Sequence, residues 1–265
     1  MTPEELHNIY RAEPGFWWYQ GMRAITRALL DPLLVTGDQR GLDAGCGTGY
    51  NALLFEDHYG LPMHGIDREP LAIQYCRKRA FQRSLVASIL DLPFSDNYFD
   101  LVTTFDVLAG LSPGSDSLAL QELLRVLKPG GTLLLRVAAF HALRSQHSKW
   151  VSDLHRYRAR EVLRKLHTLD CRVVRWTYAN ALLAPVALLK FRVWENIRKE
   201  EPSSGVTTEL PTWLNHLLSK VLKLEAALIK WGFRFYFGQS LLVVARKSLR
   251  PNTAETPVLQ ETIGN

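Results

Sequence analysis

Leu42-Asp43-Ala44-Gly45-Cys46-Gly47-Thr48-Gly49-Tyr50-Asn51 is the stretch that decides how this chain folds. An apolar lead ends at an acid, three glycines succeed it at alternate positions, and Ala52-Leu53-Leu54-Phe55 opens a helical run. That order predicts a strand, a tight glycine bend and a helix start. Glycine suits the bend because it accepts positive φ and lets the backbone approach a ligand where a Cβ would collide. The bend then opens at the carboxyl end of the first strand of an open α/β sheet, which is where such sheets bind ligands.

Two common glycine loops are excluded. A G-x-G-x-x-G loop would need its third glycine where Tyr50 stands, and a P-loop would need a Gly-Lys-Ser/Thr that the stretch lacks. The residues downstream narrow the choice by their spacing. Met63-His64-Gly65-Ile66-Asp67 reads as a second strand ending in an acid, about 20 residues past the bend, where an acid can accept from ribose hydroxyls. Residues 69–81 read as a helix, basic outside at Arg77, Lys78 and Arg79. Residues 85–89 read as strand three, leading into Asp91-Leu92-Pro93-Phe94. Strand four covers 98–104 and runs into Phe105-Asp106. A helix over 117–127 stops at Lys128-Pro129-Gly130-Gly131, and strand five covers 132–138.

Asp43, Gly45, Gly47 and Gly49, read as D-x-G-x-G-x-G, resemble motif I of the class I S-adenosylmethionine-dependent methyltransferases. Asp67, Asp91, the Phe99-Asp100-Leu101-Val102 strand and the Leu127-Lys128-Pro129-Gly130-Gly131 turn come in that family's order. The chain is similar to the type 11-like bacterial members over roughly residues 38–138. The resemblance implies a Rossmann-like seven-stranded sheet, its last strand antiparallel, with helices on both faces. It also implies S-adenosyl-L-methionine as cofactor, held by the backbone of Gly45, Cys46, Gly47 and Gly49 above Asp43, with Asp67 and Arg68 at the ribose. Asp91 and Leu92 are then expected at the adenine, and Phe105 and Asp106 under the methionine part. The carboxylates Asp43, Asp67, Asp91 and Asp106 would suit a cationic cofactor, and no metal is required.

The flanks sharpen this. Phe16-Trp17-Trp18-Tyr19-Gln20-Gly21-Met22-Arg23 and His155-Arg156-Tyr157 resemble segments of bacterial methyltransferases linked with polysaccharide or lipid modification. Where those relatives carry Glu-His after D-V-L, this chain has Ala109-Gly110, so a shared substrate does not follow. Residues 1–36 are expected as a helical cap broken at Pro14-Gly15, its aromatic residues closing over cofactor and substrate and Arg23 reaching the methionine carboxylate. For a hydroxyl acceptor the candidate bases are His141, His147 and His155. His155 is favoured with Tyr157 beside it, and Arg156 and Arg158 are available to an anionic acceptor.

Strand six is read at 171–178 and strand seven at 241–245, so the cofactor domain comprises 37–180 with 239–248. Between them, 181–238 form a helical insert or lid. Its apolar positions Leu214, Leu217, Leu218, Val221, Leu222, Leu224, Leu228 and Ile229 share a face, with Lys220, Lys223 and Lys230 outside it. Packing on the domain or on a partner is one reading of this face. Peripheral contact with a membrane is the other, since basic helices bearing Trp194, Trp213 and Trp231 suit such an interface. Residues 249–265 read as a disordered tail.

With 47% hydrophobic and 22% charged residues over 265, composition is that of a globular chain, and its net charge of +6 calls for no nucleic-acid partner. Cys46, Cys76 and Cys171 lack metal or disulfide spacing. With Glu4, Glu5 and Glu13 where a leader would be basic, they point to a reducing cytoplasmic setting, with peripheral contact at the inner membrane face as an option. The expected activity is methyl transfer to an oxygen of a small-molecule, saccharide-linked or lipid-linked acceptor. N- or C-methylation on the same fold and a non-catalytic cofactor-binding scaffold are the alternatives, and the sequence leaves oligomeric state open.

Overall fold

The computed structural model describes residues 2–33, 39–151, 154–191, 204, 206 and 210–249. The tail from 250 onward and most of 192–209 in the expected insert, Trp194 included, lie outside the described residues. Seven strands form one sheet: β1 (Gly41–Ala44), β2 (Met63–Asp67), β3 (Ser84–Val86), β4 (Phe99–Phe105), β5 (Leu127–Ala138), β6 (Cys171–Ala179) and β7 (Ser240–Lys247). Their order is β3-β2-β1-β4-β5-β7-β6. β7 runs antiparallel to both β5 and β6, and the other pairs are parallel. Strand order reverses at β1, which pairs with β2 on one side and β4 on the other, so a crevice opens beyond its carboxyl end.

The helices are α1 (Pro3–Ala12), α2 (Trp17–Leu30), α3 (Tyr50–Tyr59), α4 (Pro70–Lys78), α5 (Ser115–Val126), α6 (Gln146–Trp150), α7 (Ala159–Thr168), α8 (Ala184–Leu189) and α9 (Thr212–Lys230). Local chemistry explains the ends of α1. Thr2 Oγ1 accepts from the Glu5 amide at 3.2 Å, Pro3 takes the first turn where no amide is needed, and Pro14-Gly15 separates α1 from α2.

The two faces of the sheet obey the two-residue period of a strand. On β5, Leu133, Leu135 and Val137 face one core with Leu120 and Leu123 of α5 and Val162 and Leu166 of α7. Leu134 faces the other, with Ile25 and Leu29 of α2, Ala52 and Phe55 of α3, and Ile229 of α9. On β7, Val243 and Val244 divide the same way.

Several expected boundaries shift. Strand three is Ser84–Val86, not 85–89, because Ser88–Asp91 closes as a turn in which the Asp91 amide donates to Ser88 O at 3.2 Å. β5 begins at Leu127 rather than Thr132, because Leu127 already pairs with Phe99 across an irregular register; the proline and glycines end α5 without ending the pairing. The helix expected over 69–81 stops at Lys78.

The cap and the insert pack together. α9 lies along α2, and at Gly21 a Cβ would meet Leu222 Cβ at 2.3 Å, so the helices cross where only glycine fits. Asn215 of α9 accepts from the Trp17 amide at 2.8 Å, and Ser219 Oγ donates to Gln20 Oε1 at 3.0 Å.

Candidate active site

The glycine bend is pinned from below. The amides of Gly45 and Cys46 both donate to Ile66 O at 2.8 Å. Gly45 adopts φ +83°, and Val107 Cγ2 occupies the place of its missing side chain at 2.2 Å. Gly47, at φ +54°, differs: nothing lies within 4 Å of where its Cβ would stand. Its amide donates to Asp67 Oδ2 at 2.9 Å, while Asp67 Oδ1 accepts from the Glu69 amide at 2.9 Å. Burial raises the Asp67 carboxyl, and these two amides pull it back.

Asp43 is wholly buried under the bend rather than in the crevice, its Oδ1 accepting from Thr103 Oγ1 at 2.8 Å. Burial pushes its carboxyl up to about 7 from an ordinary 3.8, against the pull of Thr103. The unfolded chain therefore loses this proton first, and folding stability should fall as pH rises from about 4 to about 7. Asp43→Asn should remove that slope, stabilising the protein at pH 8 relative to pH 4 by on the order of 4 kcal/mol. Urea midpoints at the two pH values test this; parallel shifts in both proteins would show that Asp43 ionises freely.

Cys46 is buried. Its side chain turns into the core, Sγ 3.8 Å from Cys76 Sγ, and both thiols are free. Asp106, at φ +60°, caps β4 and lines a cavity, but Arg136 reaches it through Nε at 2.8 Å and Nη2 at 2.8 Å. It is therefore ion-paired rather than a lone carboxylate. The Arg136 guanidinium also lies 4.9 Å from the Trp18 ring and 4.8 Å from Phe105, joining cap to strand tips.

Asp91 and Leu92 are not brought to the bend. Asp91 is exposed in the turn after β3, and among the described residues no hydrogen bond or ion pair ties its carboxylate to the loop. Leu92 is buried in the core on the α5 face, its amide donating to Glu122 at 2.9 Å. The reason is the short β3: the chain turns at Ser88, which sends this segment toward α5. Arg68 is exposed beside Glu69.

The cap also touches the bend through Glu13 and Arg79, which no motif marks. Glu13 is buried, accepting from Thr48 Oγ1 and from Arg79 Nη2, the latter at 3.0 Å. Arg79 stacks over Tyr10 at 4.3 Å and over Tyr50 at 4.6 Å, and Arg23 over Tyr50 at 4.7 Å. Burial, the largest influence, raises the Glu13 carboxyl against the opposing pull of Thr48 and Arg79. Arg23 Nη1 is buried without a hydrogen-bond partner.

Beside the strand tips lies a cavity of about 610 Å³. Cap residues Phe16, Trp17 and Trp18, strand-tip residues Asp106 and Ala138, and α8 residues Val186 and Ala187 line it. Its polar walls include Glu5, His147 and Arg156. Glu5 is buried; its Oε2 accepts from Trp150 Nε1 at 3.1 Å, and Oε1 has no partner. Glu5 and Ile9, four apart on α1, both face the cavity; that helical spacing was the available signal for Glu5.

His155 and Tyr157 do not line this cavity. His155 Nε2 pairs with Glu161 at 3.0 Å. Tyr157 is buried, its hydroxyl 3.3 Å from Leu108 O and 3.2 Å from Asp116 Oδ2, so it fastens the segment after β5 to α5. Of the three candidate histidines, His147 is the one on the wall. Arg156 donates to Ala139 O at 2.9 Å and to Ser148 Oγ at 2.7 Å; Arg158 is exposed at the start of α7. Among the described residues no cluster of metal-ligating side chains occurs, and no helix is long and apolar enough to cross a membrane.

Residues 42–135 match the family model described as a methyltransferase domain. The chain is 35% identical over 134 residues to the uncharacterized methyltransferase YodH of Bacillus subtilis, covering 49% of this chain and 53% of that protein. It is 30% identical over 137 residues to the malonyl-[acyl-carrier protein] O-methyltransferase of Serratia marcescens, covering 50% and 52%. The chain spans about half the length of the curated relatives it matches. Among solved structures, it shares its fold with a chain of the Haloferax volcanii complex between the Trm112 methyltransferase activator and a methyltransferase. That likeness has a TM-score of 0.60 at 20% identity, over 91% of this chain and 94% of that one. Residues 42–135 thus match a methyltransferase domain, and they lie on a sheet whose fold the chain shares with solved methyltransferase structures.

Proposed function

We propose that this protein transfers a methyl group from S-adenosylmethionine to a hydroxyl of an acceptor with a substantial apolar part, lipid-linked or saccharide-linked. The observation that carries this is the cavity beside Asp106, walled by three aromatic residues of the cap and by apolar residues such as Leu143, Val186 and Leu218, with Glu5 and His147 among its polar groups. Space over Gly47, the Asp67 carboxylate at the bend and the unpartnered Arg23 Nη1 suit the cofactor's nucleoside and its carboxylate respectively. When bound, the cofactor supplies a methyl group made electrophilic by its sulfonium.

The chain's own task is alignment and proton handling. Trp18 and Arg136 hold the cap against the strand tips and keep water from the crevice, and oriented reactants can save about 7–11 kcal/mol of barrier. His147 takes the acceptor's hydroxyl proton at its ring nitrogen. Glu5 Oε1, buried and unpartnered, accepts a hydrogen bond from the acceptor and holds it in place. The chain's relatives include an O-methyltransferase and two N-methyltransferases, so the choice of oxygen as the receiving atom rests on the cavity.

The test is a transfer assay with methyl-labelled cofactor against hydroxylated lipids, saccharide-linked lipids and matched amines. Label should enter the hydroxyl compounds. His147→Ala should lower kcat by about 10²–10⁴-fold with cofactor affinity unchanged, and Glu5→Gln should mainly raise KM. Methylation of the amines alone, or full turnover by His147→Ala, would defeat the reading.

A further inference from the structure

The apolar face expected on the insert is divided by the tertiary structure. Leu222, Ala226 and Ile229 of α9 are buried, facing α2 and the sheet. On a 3.6-residue helix, Trp213, Leu217, Leu224 and Trp231 fall within about 40° of arc on the opposite side. They remain exposed, at 67%, 50%, 58% and 79%. The stripe runs about 27 Å with a tryptophan at each end. Lys220, Lys223 and Lys230 are exposed around it. Glu225, the one acid on α9, is buried, accepting from the amides of Ala181 at 2.8 Å and Leu182 at 3.0 Å. The outward surface of α9 is thus apolar along its middle and carries lysines with no exposed acid.

We infer that this face of α9 lies in the surface of an anionic lipid bilayer, with Trp213 and Trp231 at the headgroup level and the lysines facing lipid phosphates. Charge selects this occupant. A second copy docking the same patch two-fold would bring two sets of lysines together without an acid between them. A nucleic acid would meet the lysines but leave Leu217 and Leu224 on its polar surface. An anionic bilayer satisfies both, burying the apolar stripe and attracting the basic flank. The cavity lies on the other side of α9, where Leu218 lines it about 100° or more around the helix from this stripe. Docking there does not depend on the acceptor being a lipid.

The experiment is sedimentation of the full chain with vesicles of phosphatidylcholine, with and without phosphatidylglycerol, at low and raised salt. The protein should pellet with the phosphatidylglycerol vesicles, shift its tryptophan emission to the blue, and be released by salt. Trp213→Ser with Trp231→Ser should weaken binding at least tenfold while circular dichroism and cofactor calorimetry stay as in the parent. Lys220→Glu with Lys223→Glu should abolish the preference for phosphatidylglycerol. Failure to pellet at low salt would overturn the inference. So would a dimer in sedimentation velocity that Leu217→Glu dissociates, or binding to a DNA or RNA duplex stronger than to vesicles.

Discussion

Gly47→Ala is expected to leave the protein folded and cost it about a hundredfold in S-adenosylmethionine affinity, close to 2.7 kcal/mol. The two effects separate because of what surrounds this residue. Its φ of +54° makes an alanine strained by roughly 1–2 kcal/mol, but the methyl itself would meet no protein atom within 4 Å. The open space belongs to whatever the bend holds. Gly45→Ala is the contrast: its Cβ would meet Val107 Cγ2 at 2.2 Å, so the loss should fall on stability first. Calorimetry with the cofactor, paired with urea denaturation, reads both quantities. Wild-type affinity in Gly47→Ala would move the cofactor away from this bend.

Arg79→Met should destabilise the protein by about 3–5 kcal/mol, far beyond a surface change. Arg79 and Glu13 are both almost buried, so removing the guanidinium leaves a carboxylate with Thr48 as its remaining partner in a site of low polarity. It also strips the cation from between Tyr10 and Tyr50, the rings through which the cap meets the start of α3. The double variant Glu13→Gln with Arg79→Met should recover part of the loss, because the unpaired charge goes with its partner. Urea midpoints for the single and double variants measure this. A single variant within about 0.5 kcal/mol of the parent would mean the cap is not latched here.

The division between the strand-tip residues and the catalytic candidates has a physical basis. Asp67 reached the bend as expected because a strand tip follows from alternation and length, and its amide partners lie at Gly47 and Glu69. Asp91 did not, since its place depends on how far β3 extends, and β3 stops where Ser88 turns the chain. His155 and His147 are alike as residue types after strand five. What separates them is place: His147 lines the cavity and His155, paired with Glu161, does not.

By itself the sequence determined the sheet, the glycine bend, the helical character of the cap and of α9, and the resemblance to methyltransferases, because these rest on periodicity and turn chemistry within short windows. The tertiary structure alone decided that Glu13 meets Arg79 and Thr48, that Glu5 is left with an unpartnered oxygen on the cavity wall, and that Trp213, Leu217 and Leu224 of α9 face outward. Those outcomes join residues far apart in the chain. Helical spacing says which side chains share a face, but what covers that face is settled by the packing of other elements.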